Sequence, residues 1–262
     1  MYDAKADLEH HLEEVNEALR ILRQYGCVIT TQDILLDLGG GNGLHAGFLS
    51  SHFAKVHCVD VINYTSLYDG AFFKGLRDVH ITNGHEISLP RIQFIESDAM
   101  NMLFRENFFD CCFCVNAFEH IPDPRRALHE ILRVLKPGGF AYISFDPIWT
   151  ADTGGHFFQR LPEPWAHLLL SDDQYVEGML RNDATEDETL SFRTKMNRWR
   201  FAQFRSIFEE VAGMILFSDQ HHGYQREDHP AHGNFGQALM KGYSREELSM
   251  RRVRWVIRKP EH

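Results

Sequence analysis

Residues 34 to 43 read Ile-Leu-Leu-Asp-Leu-Gly-Gly-Gly-Asn-Gly, a strand-length apolar run that breaks into four glycines within five positions. A short apolar run bounded by glycine fits a buried strand. Glycine adopts positive φ and lets the backbone approach a ligand closely, and the helical stretch His45 to His52 that follows offers free N–H groups at its start. Strand, glycine turn and helix in that order place a nucleotide-like ligand at Gly39 to Gly43.

Further apolar strands recur at Lys55 to Val61, Ile92 to Ser97, Phe109 to Val115 and Phe140 to Phe145, with helix-compatible stretches mostly between them. Alternation of this kind implies a parallel sheet with helices on both faces. The clearest helix begins at Asp123-Pro124, where Asp caps and Pro takes the first position, and ends at Lys136-Pro137-Gly138-Gly139. Leu8, Leu12, Val15, Leu19 and Leu22 recur at steps of four and three, so about Lys5 to Tyr25 forms an amphipathic helix. Its stripe stops at Gly26, short of the heptads a coiled coil needs, so it docks on the domain.

After Phe145 the regularity breaks. Asp146 to about Lys195 is rich in Trp, His, Pro, Asp and Gly, lacks sustained periodicity and is too long for a plain loop. A helix at Asn197 to Glu210, a strand around Met214 to Phe217 and a last strand near Val253 to Ile257 complete the chain. Its 262 residues suit one α/β domain with an elaboration.

The glycine spacing separates two kinds of ligand. A dinucleotide fingerprint is Gly-x-Gly-x-x-Gly, but Leu44 stands where its third glycine belongs after Gly39-x-Gly41. Asp37-x-Gly39-x-Gly41-x-Gly43 instead resembles the first motif of the class I S-adenosylmethionine-dependent methyltransferases. Three further strand ends agree. Asp60, in Val59-Asp60-Val61, lies at the distance from Gly39 at which an acid reaches a ribose hydroxyl. The run Glu96-Ser97-Asp98-Ala99-Met100 is similar to the family position whose acid meets the adenine amino group. Asn116-Ala117-Phe118-Glu119-His120-Ile121-Pro122, with Arg133-Val134-Leu135-Lys136-Pro137-Gly138-Gly139, looks like the small-molecule branch of that family. Tyr243-Ser244-Arg245-Glu246-Glu247-Leu248 looks similar to it as well.

The resemblance, close over Ile34 to Phe145, implies a Rossmann-like doubly wound α/β sheet, mostly parallel with an antiparallel last strand, plus an N-terminal helix and an insertion after the fifth strand. One domain over 1–262 would comprise the helix at 1–26, a cofactor-binding core at 27–145, a substrate-covering insertion at 146–197 and the rest of the core at 198–262. S-adenosylmethionine would contact Asp37, Gly39, Gly41, Gly43, Asp60, Val61, Asp98, Ala99 and Asn116. Taken singly, Asp37 reads better as a strand-end cap, Asp60 as a turn residue and Asp98 as a helix cap; together, in this order, they reverse that reading.

Because the sulfonium donor is already reactive, the protein must align the acceptor, take a proton where needed and exclude water. His120 follows the fourth strand beside the expected cofactor, and imidazole titrates near neutrality, so it is the first candidate for base or orienting group. Glu119 and, in Thr153-Gly154-Gly155-His156, the insertion's His156 are the others, each with a structural alternative. Trp149, His156, Trp165 and Tyr175 are candidates for the acceptor pocket, with simple packing as the other reading of the aromatics.

Charge and cysteines bound the rest. With 27 Lys and Arg against 37 Asp and Glu, the formal charge of -10 disfavours phosphate backbones and anionic membranes and favours a small-molecule substrate. Met1 to Glu14 lacks an apolar targeting region and no run spans a membrane, so a cytoplasmic protein is expected, with a homo-oligomer left open. Cys111, Cys112 and Cys114 alternate along a strand and read as buried thiols. No metal site is expected: zinc knuckles are missing, and His221 to His232 carries Gly and Pro and reads as a solvated loop. The activity expected is methyl transfer to an oxygen or nitrogen of a small metabolite. The alternatives are an NAD(P)-dependent oxidoreductase and a catalytically silent methyltransferase-like binding partner.

Overall fold

The computed structural model describes residues 4–66, 71–211, 215–222 and 233–261. Among them seven strands form one sheet: β1 (Ile34–Leu38), β2 (Lys55–Asp60), β3 (Ile92–Glu96), β4 (Phe109–Val115), β5 (Leu135–Phe145), β6 (Ile215–His222) and β7 (Met250–Arg258). Their spatial order is β3-β2-β1-β4-β5-β7-β6. β1 to β5 pair in parallel, and β7 runs antiparallel to both β5 and β6, as the sequence implies. The order reverses beside β1, which lies between β2 and β4, and a doubly wound sheet opens its ligand crevice there, at the carboxyl ends.

Strand alternation divides the core in two. Leu35, Val56, Cys58, Cys111, Phe113 and Tyr142 pack with Leu8, Val15, Leu19 and Leu22 of α1 (Ala4–Gln24), Phe48 of α2 (Leu44–Leu49) and Phe72 and Leu76 of α3 (Phe72–Thr82). Leu36, Leu38, Cys112, Cys114, Ile143 and Trp255 pack with Leu128 and Ile131 of α4 (Pro124–Val134) and Phe204 and Phe208 of α8 (Phe201–Val211). Trp255 stacks on Phe208 with ring centroids 4.1 Å apart. All five cysteines are buried free thiols; on β4, Cys112 and Cys114 face one side of the sheet and Cys111 the other.

The Asp123 side chain accepts from the Arg126 N–H and Pro124 opens α4, matching the sequence signal. The helix ends earlier than expected, at Val134, and Lys136-Pro137-Gly138-Gly139 runs as the start of β5. A Cβ on Gly139 would stand 2.8 Å from the Lys136 carbonyl oxygen and 3.0 Å from that of Asp110, so the strand passes there only without a side chain. The ladder shifts register between Phe109 and Cys111, beside this site.

The insertion contains order that its composition hides: α5 (Ala166–Leu169), α6 (Asp172–Arg181) and α7 (Glu186–Thr194). α6 and α7 each open on a reciprocal capping box, Ser171 with Gln174 and Thr185 with Glu188. These helices close a third core of Trp149, Trp165, Tyr175, Met179 and Phe192, joined by Phe235 of α9 (Gly233–Met240) and Leu248 of α10 (Arg245–Ser249). His221 and His222, expected in a loop, pair instead with Arg252 and Met250 as the end of β6, while 223–232 lie outside the described residues. No helix among the described residues is long and apolar enough to cross a membrane.

Candidate active site

β1 delivers Asp37 and Leu38 into a turn in which Gly39, Gly41 and Gly43 have φ of +73°, +54° and +83°. The Gly39 N–H donates to the Val59 carbonyl at 2.7 Å, tying the turn to β2. A Cβ on Gly39 would fall 2.2 Å from that of Ala117, and one on Gly43 would fall 2.6 Å from the Phe94 ring. Gly41 faces open space, with nothing within 4 Å of the place its Cβ would take. Asp37 is 2% exposed beneath Gly40, and its Oδ2 has no hydrogen-bond partner. Burial, and then the charge of Asp60, raise the Asp37 carboxyl to about 7.

The neighbouring strand ends converge on this turn. Asp60 accepts from the Gly41 N–H through Oδ2 at 3.1 Å and from the Ile62 N–H through Oδ1 at 3.0 Å, with Val61 exposed between them. Gly41, Asp60, Ile62, Tyr64, Phe94 and Glu96 help line a small cleft of about 70 Å³. Beyond β3, exposed Asp98 accepts from the Met100 N–H at 2.8 Å, and Ala99 beside it is buried. Asn116, at φ +51° after β4, donates its backbone N–H to the Ser144 carbonyl at 2.8 Å and its Nδ2 to Glu14 Oε1 of α1 at 2.9 Å.

Phe118 to His120 form a single 3₁₀ turn after β4. Asn197 clamps it, donating Nδ2 to the Phe118 and Ile121 carbonyls, each at 2.9 Å, and its N–H to the Glu119 carbonyl at 3.0 Å. His120 Nδ1 lies 2.9 Å from the Lys195 carbonyl, a contact only an N–H can make, so its neutral ring leaves Nε2 as the basic nitrogen. His156, at φ +64°, directs Nε2 at the Pro147 carbonyl, 3.2 Å away, which leaves Nδ1. Burial lowers both imidazoles, His156 to about 4, so both are neutral at pH 7.

Glu119 is 3% exposed, with Oε2 unpartnered and Oε1 3.8 Å from His120 Nε2. Burial raises its carboxyl to about 8. That holds it largely protonated at neutral pH, where it offers a hydrogen-bond donor in place of a carboxylate base.

Of the four residues expected around an acceptor, His156 stands at the His120 ring. Trp165 does not: it is 0% exposed, packs on Phe235 at 5.2 Å between centroids and donates Nε1 to the Leu248 carbonyl at 3.3 Å. Its ring is an anchor of the third core, which corrects the expectation of a pocket wall. Trp149 and Tyr175 are buried in the same core, Trp149 under the Arg198 guanidinium at 4.9 Å and Tyr175 stacked on Phe192 at 4.3 Å. The clamp by Asn197 and the reach of Glu14 to Asn116 are absent from the sequence reading. Both join residues far apart in the chain, and no local spacing announces them.

Residues 36–143 match the methyltransferase domain family. An uncharacterized methyltransferase of Mycobacteroides abscessus is 33% identical over 128 residues, 47% of this chain and 42% of that protein. One from Mycobacterium leprae is 30% identical over 123 residues, 47% and 40% of the two. The match thus spans about two fifths of the length of these curated relatives. Phosphoethanolamine N-methyltransferase 2 of Haemonchus contortus, solved with S-adenosyl-L-methionine, shares the fold at TM-score 0.53 and 18% identity, over 94% of this chain and 52% of that one. The [4+2]-cyclase SpnF shares it equally, at TM-score 0.53 and 20% identity, over 93% and 81%. Sheet order and strand-end site define a Rossmann-like methyltransferase fold. Residues 36–143 are similar to the methyltransferase domain family, and the fold is the one shared with methyltransferases of known structure.

Proposed function

We propose that this chain transfers a methyl group from S-adenosylmethionine to an oxygen or nitrogen of a small metabolite dissolved in the cytoplasm. The observation that carries the reading is the convergence of the open face of Gly41, the Asp60 carboxylate that holds its N–H and the end of β3 on one cleft where the strand order reverses. The residues fit the cofactor: a side chain on Gly39 or Gly43 would collide with its own neighbours, whereas the face of Gly41 leaves room for a ligand. Asp37, Gly39, Gly41, Gly43, Asp60, Val61, Asp98, Ala99 and Asn116 would hold it, with Asp60 on the ribose and Asp98 on the adenine. When bound, S-adenosylmethionine supplies a methyl group on a positively charged sulfur.

The chain's own residues do the remainder. His120 Nε2 takes the proton from the attacking hydroxyl or amine, its ring held by the Lys195 carbonyl. His156, whose Nε2–H donates to the Pro147 carbonyl, keeps Nδ1 as its accepting nitrogen, and the protonated Glu119 carboxyl offers a hydrogen bond that orients the acceptor. The insertion, packed through its own core, brings His156 against the His120 ring at the β4 end. The net charge of -10 supports a small acceptor over a nucleic acid.

Calorimetry with S-adenosylhomocysteine followed by a donor-consumption screen over phenols, carboxylates and amines tests this. Micromolar binding with turnover of one acceptor class is expected. Folded protein that fails to bind the probe refutes it, and binding with no turnover on any acceptor favours a silent partner.

A further inference from the structure

One cluster of ligand-type side chains lies outside the machinery assigned above. His11 and Glu14 stand one turn apart on α1, and His45 projects from the first turn of α2 toward them. One ligand atom from each falls within 4.8 Å of the other two. The His45 Nε2 to Glu14 Oε2 distance is 2.8 Å, and the His11 and His45 rings are 4.6 Å apart between centroids.

Two contacts set the cluster apart from a chance surface group. His11 Nδ1 is 2.7 Å from the Asp7 carbonyl, which fixes the tautomer and turns Nε2 to the cluster. Glu14 Oε1 takes the Asn116 amide at 2.9 Å, with His10 Nε2 3.5 Å from the same oxygen, which leaves Oε2 for His45 and His11. Ligating histidines and carboxylates are held by partners of this kind, one hydrogen bond behind the ligand atom. Glu14 and His45 are largely buried, with side chains 13% and 10% exposed, while His11 is 24% exposed and keeps one side open to water.

We propose that His11, Glu14 and His45 bind one zinc-class divalent ion, which braces α1 against the helix that follows the glycine turn. Two imidazoles and one carboxylate are the donor set of borderline ions, and three protein ligands leave a position for water. At metal–ligand bonds of about 2.1 Å, tetrahedral donors sit about 3.4 Å apart, so Glu14 and His45 open slightly and His11 closes in. The Glu14–Asn116 bond joins this ion to the end of β4, so its occupancy tightens the same strand end that holds His120.

The test uses the full chain, free of any affinity tag and stripped with a chelator, with no cofactor or acceptor present. Titration with Co²⁺, read by visible absorption, should show one tight equivalent that Zn²⁺ displaces and a thermal midpoint that rises on loading. Glu14→Gln and His11→Asn should each weaken that equivalent about 100-fold or more, and Asn116→Gly, which keeps the positive φ, about 10-fold. Circular dichroism confirms folding, and if His45→Asn does not fold, the two α1 variants carry the test alone. Absence of a tight equivalent overturns the proposal. So does an equivalent that survives Glu14→Gln, or one that disappears on replacing His221, His222, His229 and His232 with asparagine.

Discussion

The rings of His120 and His156 meet edge to face, 5.2 Å between centroids and 74° between planes, one from the end of β4 and the other from the insertion. Burial keeps both neutral at pH 7. Replacing His120 with asparagine should lower kcat by about 100-fold or more while leaving S-adenosylhomocysteine affinity within about 3-fold. A parallel loss of both would make His120 a cofactor contact and not a base.

Asp60 spends both oxygens on backbone amides, one of them in the glycine turn. Asp60→Ala should weaken S-adenosylhomocysteine binding by about 10- to 100-fold, the worth of a charge-assisted hydrogen bond, and Asp60→Asn should lose less. Calorimetry of the two variants checks the order.

Gly43→Ala and Gly26→Ala share a backbone problem but differ in surroundings. Gly26 has φ +89° with nothing within 4 Å, so alanine there costs only the left-handed conformation, about 1–2 kcal/mol. Gly43 has φ +83°, and its Cβ would meet the Phe94 ring at 2.6 Å, so it should lose more, along with cofactor binding. Urea unfolding of both variants measures the gap.

Glu119 gives stability a definite pH dependence. Its carboxyl rises from an ordinary 4.5 to about 8 on folding, so between those values the native state keeps a proton that the unfolded chain has lost. Its contribution is complete below about 4.5 and disappears as pH rises through about 8. Asp37, raised from 3.8 to about 7, acts in the same sense. His57, His156 and His167, each lowered from 6.5 to about 4, act in the opposite one, losing their contribution as pH falls below 6.5. Unfolding free energies from urea titrations at pH 5.5, 6.5 and 7.5 should fall with pH in the wild type relative to Glu119→Gln, by up to about 1.4 kcal/mol per pH unit. Parallel profiles would show that Glu119 does not titrate there.

Phe192 is fully buried where Tyr175, Trp149 and Phe157 meet. Phe192→Ala should cost about 3–5 kcal/mol within the insertion. Turnover should fall and proteolysis should cut within residues 146–197, with S-adenosylhomocysteine still bound. Intact binding and turnover together would separate the insertion from the acceptor site.

What could be read in advance was whatever depends on local spacing. The strand-to-glycine junction at Leu38-Gly39, the cap at Asp123-Pro124 and the acids at strand ends each follow from a few adjacent residues. The insertion escaped because its helices are short and bury aromatics in their own small core, giving no long stripe. Yet Ser171-x-x-Gln174 and Thr185-x-x-Glu188 marked two helix starts in plain text. The α4 boundary slipped because Pro137 and Gly138 read as a helix stop and here begin a strand. Trp165 looked like a wall for lack of any sequence sign that Phe235 would cover it.

β7 lies between β5 and β6, yet it follows β5 by about a hundred residues in the chain. During synthesis at roughly 5–20 residues per second, the hydrogen-bonding edge of Phe140 to Phe145 therefore waits on the order of ten seconds for its antiparallel partner. For that interval the nascent chain exposes an apolar open edge, the kind of surface that recruits a neighbouring polypeptide. Yield at high expression rates should then depend on how quickly residues 250–258 emerge, a demand on chaperones that the finished sheet no longer reveals.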